Sequence, residues 1–494
     1  MTIEIAQGKL QGYRDGDVLR FAGIPFAKAE RWQMPQAGDA WSGTYDATQF
    51  RAVAIQDPKQ IDILKGPVEP LSEECLFLNV WTPACDGGKR PVMVWIHGGG
   101  FVTGSGYIGA YEGTHLAARG DVVVVTINYR LGAFGFLNLR DATDGKLPGT
   151  GAEGIADQIA ALNWVHDNIA AFGGDAANVT IFGESAGSGS VCALLAAPSA
   201  KGLFHKAICE SGAAHLGTAR EKSAVTAKTF LQKLGCADDP ARALELSSEA
   251  LFKAQREIET ESAGRAGLPF GPTADGDVLP VRAIDAIRNG SAKDVSLIAG
   301  TTRDETKLMF AFSQQFREQS ADALRKRMNE WVGEEHAGTT LAAYGAQSPY
   351  EIATAVITDN VFWYPTVKLL EAQSAFAPSY GYRIDWPSPM MGGIVGAGHV
   401  IEVGFVFGTY ARPEVKDFFG TGPDADALSA AMMDSWLAFA KSGNPTTPKL
   451  DWPRYDANRR ATMIFGDGAP HVENDPNAAR RKAWDAIGDK RIGL

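Results

Sequence analysis

The chain opens on short alternating stretches, Ile3 with Ile5 and then Leu10 before Gly12, a period of two that predicts an exposed antiparallel edge. From Pro91 onward the pattern changes. Residues 92–97 (VMVWIH) and 122–129 (VVVVTINY) are apolar runs rich in β-branched residues, which suit strands buried on both faces of a parallel sheet. Residues 179–182, 206–209, 295–300 and 380–386 continue the series. Between them Ile155, Ile159, Leu162 and Val165 recur at helical spacing. Strands alternating with helices predict an α/β fold, with a mostly parallel central sheet and helices on both faces. Residues 218–261 and 313–358 are charged, Ala/Leu-rich and helical in period. They read as helical insertions over the active-site edge of one domain spanning residues 1–494.

Ligands of open α/β sheets bind beyond the carboxyl ends of the strands, so chemistry is sought in the residues just after each run. After residues 179–182 comes Gly183-Glu184-Ser185-Ala186-Gly187, then a small-residue helical stretch closed by Pro198. GxSxG between a strand and a helix is a nucleophile elbow: the serine is held in a strained turn that projects its hydroxyl, and the flanking glycines admit neighbouring backbone. A Gly-rich turn without chemistry has the same composition. Ser188 and Ser190 fall inside the helix rather than at its apex. After residues 92–97 the glycine run Gly98-Gly99-Gly100 leads to Phe101, and consecutive unobstructed N–H groups are what an oxyanion hole needs.

These segments belong to an extensive resemblance. Residues 182–191 (FGESAGSGSV) resemble the active-serine signature of type-B carboxylesterases, a family that also includes cholinesterases and bacterial p-nitrobenzyl esterases. Residues 72–80 (SEECLFLNV) resemble its second signature, with Glu74 where Asp is usual. Further matches run through 21–25 (FAGIP), 128–137 (NYRLGAFGFL), 171–175 (AFGGD), 436–443 (WLAFAKSG) and 452–465 (WPRYDANRRATMIF). The resemblance implies the α/β-hydrolase fold and ester hydrolysis.

Among the eight histidines, the base of an α/β hydrolase lies well downstream of the serine, after the acid. His336 falls in a polar helical insertion, His471 in a Pro/Asn-rich tail and His399 in a glycine-rich loop after the strand at 380–386. The resemblance selects His399, with Val400 standing where many members carry a small residue. Glu305 and Asp304 both follow the strand at 295–300. The resemblance selects Glu305, followed by Thr306 in place of the usual glycine. It further implies oxyanion donors at Gly99, Gly100 and Ala186, and pocket residues at Phe101, Leu268, Phe270, Leu308 and Met309. Glu184 and Ser211 are placed beside the triad, and Arg31 with Glu73 and Arg130 with Asp157 as structural ion pairs. Residues 57–71 lack the tryptophan with which cholinesterases cradle a quaternary ammonium, so choline esters are poor candidates.

Composition narrows the alternatives. A formal charge of −11 repels phosphate backbones and anionic lipid, which argues against nucleic-acid and polybasic membrane roles. No basic start followed by an apolar core marks a signal peptide, and no apolar run approaches the ~20 residues of a membrane helix. The expected setting is cytoplasmic. The five cysteines form no CxxC pair, which disfavours a zinc site; no metal or cofactor is expected. Gly149-Thr150-Gly151-Ala152-Glu153-Gly154 matches GxGxxG, but a polar stretch precedes it where a dinucleotide site needs a strand. Arg480-Arg481-Lys482 reads as a solvated helix face. The expected partner is a small-molecule ester; oligomeric state is left open. An amidase or carbamate hydrolase with the same triad, or a non-catalytic binding protein on the same fold, are the alternatives.

Overall fold

A computed structural model of the chain describes residues 1–57, 64, 70–262 and 268–489. Its centre is an eleven-stranded sheet. In chain order the strands are β1 (Tyr13–Asp15), β2 (Val18–Pro25), β3 (Phe77–Thr82), β4 (Arg90–Ile96), β5 (Val123–Ile127), β6 (Gly174–Glu184), β7 (Lys206–Glu210), β8 (Ser296–Thr302), β9 (Ser379–Ile384), β10 (Ala461–Phe465) and β11 (His471–Asn474). In space they run β11-β10-β9-β8-β7-β6-β4-β5-β3-β2-β1. The strands from β5 to β10 pair in parallel, and the antiparallel pairs lie at the two sides. The first alternating residues pair as Ile3 with Leu10 in an antiparallel hairpin of a separate small sheet.

The unbroken apolar runs follow from burial on both sides. Along β4, Val92, Val94 and Ile96 join one core layer while Met93 and Trp95 join the other. A third apolar cluster lies away from the sheet and combines Tyr344, Trp363 and Tyr364 with Trp484 of the last described helix, Ala478–Ile487.

Strand order reverses at β4, whose neighbours are β5 on one side and β6 on the other. A crevice opens beyond the carboxyl ends of strands at such a switch point. The two loops flanking it are the glycine run after β4 and the turn after β6, which carries Ser185.

Residues 218–261 form the helices Arg220–Lys233 and Ser248–Ser262 around a short 3-10 turn. Residues 313–358 form four further helices, ending with Pro349–Thr358. That last helix does not stop at 358. It widens into a π-helical turn, Asp359–Trp363, and continues as Tyr364–Ser374. Pro365 has no N–H to give the carbonyl of Val361, so the helix survives the proline by widening rather than ending. His471, placed in a tail by sequence, lies on the outermost strand β11. Arg480 and Arg481 do not form a solvated face: Arg480 pairs with buried Asp359, and Arg481 pairs with Asp475 and Asp485. The part of residues 57–71 that covers 58–63 and 65–69 lies outside the described residues. Among the described residues no helix is long and apolar enough to cross a membrane.

Candidate active site

Ser185 stands between β6 and the helix Ala186–Ala196, at φ 56° and ψ −119°. A non-glycine residue held there costs about 1–3 kcal/mol. The turn is tight on both sides: a Cβ on Gly187 would lie 2.0 Å from the carbonyl oxygen of Ile96, and one on Gly183 would lie 2.7 Å from the Gly187 backbone. A serine at a helix start ordinarily bonds back to the first-turn amides. Ser185 makes no such capping bond, so its hydroxyl is left to other partners. Ala186, the first helical residue, has an N–H that the helix cannot use.

The glycine loop lies against this elbow. A Cβ on Gly98 would come within 3.1 Å of the Ser185 Cβ. Gly99 and Gly100 take φ 111° and 61°, conformations that suit glycine, and their N–H groups donate to no described residue. His97, at the start of the loop, is scaffold. Its ring stacks on Tyr129 at 4.4 Å, and burial lowers its pKa to about 4, so it is neutral at physiological pH.

His399 is brought to the same place from the loop after β9. Its Nδ1 lies 2.6 Å from Oε2 of Glu305, 94 residues away in sequence. Glu305 is wholly buried, and its other oxygen accepts the N–H of Thr302 at 2.7 Å. Its carbonyl accepts the His399 N–H at 3.1 Å. Asp304, the rival acid, is engaged elsewhere: it pairs with Arg303 and Lys307 and bonds the backbone of Ala397, which pins the histidine loop. Val400, directly after His399, adopts φ 66°, a strained value for a β-branched residue.

The other ring nitrogen, Nε2, lies 3.1 Å from Oε1 of Glu184. Burial disfavours imidazolium, but Glu184 and then Glu305 outweigh it, and the pKa of His399 rises to about 9. The Glu184 carboxyl is itself raised well above the usual carboxylate range, chiefly by burial.

Behind the ring, Glu402 accepts the Ser211 hydroxyl, and Glu210 accepts the indole N–H of Trp436 at 2.7 Å. All four glutamates, 184, 210, 305 and 402, are buried. Glu210 and Glu402 escaped the sequence reading. Glu402 falls three residues after His399, across the turn that Val400 makes, and that nearness in sequence was the only signal for it.

Of the residues expected at the pocket, Phe101 is buried against Phe136 at 5.1 Å, and Gly271 beside Phe270 approaches the Phe101 ring. Phe270 is buried, and Leu268 is half-buried against the same core layer. Leu308 borders the histidine loop at Gly398, whereas Met309 is 51% exposed. Arg31 pairs with Glu73 and Arg130 with Asp157.

A doubly wound sheet with a strained serine at its switch point, a glycine loop against it and a histidine bonded to a buried glutamate is the arrangement of an α/β hydrolase. The chain belongs to the carboxylesterase family, whose model matches residues 1–484, and it is a carboxylesterase, a hydrolase of esters. It is 38% identical over 487 residues to a para-nitrobenzyl esterase of Bacillus subtilis (strain 168), covering 96% of each chain. It is 34% identical over 486 residues to a phenmedipham hydrolase of Pseudarthrobacter oxydans, covering 95% of each. Among solved structures, a Geobacillus stearothermophilus carboxylesterase superposes with TM-score 0.88 at 38% identity, over 98% of this chain and 99% of the other.

Proposed function

We propose that this carboxylesterase works through an acyl-enzyme on small to medium esters with apolar or aromatic groups. Ser185 is the nucleophile, His399 the base and Glu305 its partner. The observation that carries this reading is the setting of His399: one ring nitrogen is held 2.6 Å from buried Glu305, and the other faces the elbow, 3.1 Å from Glu184.

Glu184 lies 3.1 Å from Nε2 without a hydrogen bond and raises the pKa of His399 by its charge. In the neutral imidazole, Nε2 accepts the Ser185 proton while the serine oxygen attacks the ester carbonyl. Glu305 keeps the imidazole oriented and stabilises the imidazolium that forms. The N–H groups of Gly99, Gly100 and Ala186 receive the oxyanion, each such donor contributing about 10²–10³ in rate. The alcohol leaves with the proton from His399, and water then attacks the acyl-enzyme by the same relay. The apolar side chains of Phe101, Phe270, Leu268 and Leu308 support an apolar acyl or aromatic preference, whereas Met309 is 51% exposed and adds nothing to it.

Covalent labelling by an organophosphate tests the assignment. Wild type is expected to take up one equivalent and Ser185→Ala none. An unlabelled wild type, or a labelled Ser185→Ala, overturns it. A graded series of p-nitrophenyl esters, with matched amides and carbamates, then reads the substrate preference.

A further inference from the structure

We propose that Phe362, carried on the π-turn Asp359–Trp363, is a positioning residue for His399, and that Arg480 of the C-terminal helix latches that turn in place. The inference builds on the assignment of His399 as base.

The Phe362 ring lies 4.8 Å from the imidazole of His399, with the planes at 45°, and is buried. The imidazole therefore has three neighbours that define its orientation: Glu305 at Nδ1, Glu184 near Nε2, and an apolar ring packed against it. Nε2 has two competing uses. Turned to the Ser185 hydroxyl it is a base, and turned to Glu184 it completes an ion pair and is not. A packed aromatic ring restricts rotation of the imidazole, and it keeps water, which stabilises imidazolium, away from it.

The π-turn is secured from outside the site. Asp359 is buried and accepts the Tyr344 hydroxyl at 2.7 Å and Nε of Arg480 at 2.6 Å. A second nitrogen of Arg480 completes the fork on the other carboxylate oxygen. The guanidinium lies over the rings of Tyr344 and Trp363, 4.8 and 5.7 Å from their centroids, and Trp484 donates its indole N–H to Tyr344. The same helical segment also holds the acid's turn, because the Thr306 hydroxyl donates to the Thr354 carbonyl at 2.8 Å and its N–H reaches Thr358. Thr306, which replaces the family's glycine, thus ties the residue after Glu305 to the helix that leads to Phe362.

The charged and titratable groups around His399 are Glu184, Glu305 and Glu402. On the insertion side Asp359 is occupied by Arg480, and His215, which lies at the backbone of Val361, is kept neutral by burial.

The test is the pH dependence of kcat and kcat/KM for p-nitrophenyl acetate, with thermal midpoints, on the full chain and its Phe362→Ala, Phe362→Leu, Arg480→Gln and Arg480→Lys variants. Phe362→Ala is expected to lower kcat about tenfold or more, as misoriented catalytic groups do, with KM within about twofold. Its acidic limb of kcat/KM should move to higher pH, since admitted water and pairing with Glu184 both favour imidazolium. Phe362→Leu keeps an apolar cover and falls between. Arg480→Gln should show the same limb shift in smaller measure, and Arg480→Lys should recover part of it. A wild-type acidic limb in Phe362→Ala, or a changed KM with an unmoved limb, overturns the proposal. Should Phe362→Ala not fold, the limbs of Phe362→Leu and Arg480→Gln decide in the same way. Loss of labelling in the wild type would overturn the underlying assignment instead, so the two failures are separable.

Discussion

The hydroxyl of Ser211 donates to Glu402 across 2.6 Å, where both side chains are shut off from solvent. One residue follows β7 and the other the histidine loop, so the bond joins two walls of the site. The Glu402 carboxyl is pushed up to about 7, by burial first and then by Glu305, with the Ser211 bond opposing both. Whatever charge Glu402 carries raises the pKa of His399 in turn. Glu402→Gln removes that charge and is expected to move the acidic limb of kcat/KM to lower pH, opposite to Phe362→Ala. An unmoved limb would show that Glu402 does not act on the base.

Activity and stability should respond to alkali in opposite directions. The pKa of His399 is raised to about 9 in the fold, against about 6.5 for an unfolded histidine. The base form therefore grows as pH rises, and kcat/KM is expected to climb between neutrality and pH 9. A raised folded pKa means that the native state binds the proton more tightly. The stability this contributes is complete below about pH 6.5 and is lost as pH rises through about 9. Comparing thermal midpoints of wild type and His399→Ala across that window isolates the contribution.

The two glycines proposed to receive the oxyanion, Gly99 and Gly100, should tolerate alanine differently. On Gly99 a Cβ would lie 2.2 Å from the Thr103 carbonyl oxygen, so the loop must move; on Gly100 the nearest atom is 3.9 Å away. Gly99→Ala is expected to lose about 10²-fold or more in kcat, the scale of a lost oxyanion donor. Gly100→Ala has left-handed backbone strain of about 1–2 kcal/mol and should retain most of its turnover. Equal losses in kcat would show that the loop does not present its N–H groups as described.

Arg130 grips both carboxylate oxygens of Asp157 at 2.8 and 2.7 Å, with side chains only 4% and 0% exposed. Arg130→Ala strands a buried carboxylate and is expected to cost about 3–5 kcal/mol. Urea unfolding measures it. Arg130→Met with Asp157→Leu should recover part of the loss, because that pair leaves no uncompensated charge.

The chain's own order of residues decided the local features. Val92, Val94 and Ile96 against Met93 and Trp95 announce a strand covered on both faces, and Gly183 to Gly187 announce the elbow, because the physics of each lies within a few consecutive residues. Family likeness singled out Glu305 and His399, which periodicity alone left among rivals. The tertiary structure decided what depends on contact between distant segments: Glu184 at the second nitrogen of His399, Ser211 on Glu402, and Phe362 against the imidazole. Arg480 is the sharpest case. Two arginines and a lysine in a row look like a solvated face, because charge is costly to bury. Whether a carboxylate such as Asp359 waits to pair with one of them, 121 residues away, is settled only when the helices pack.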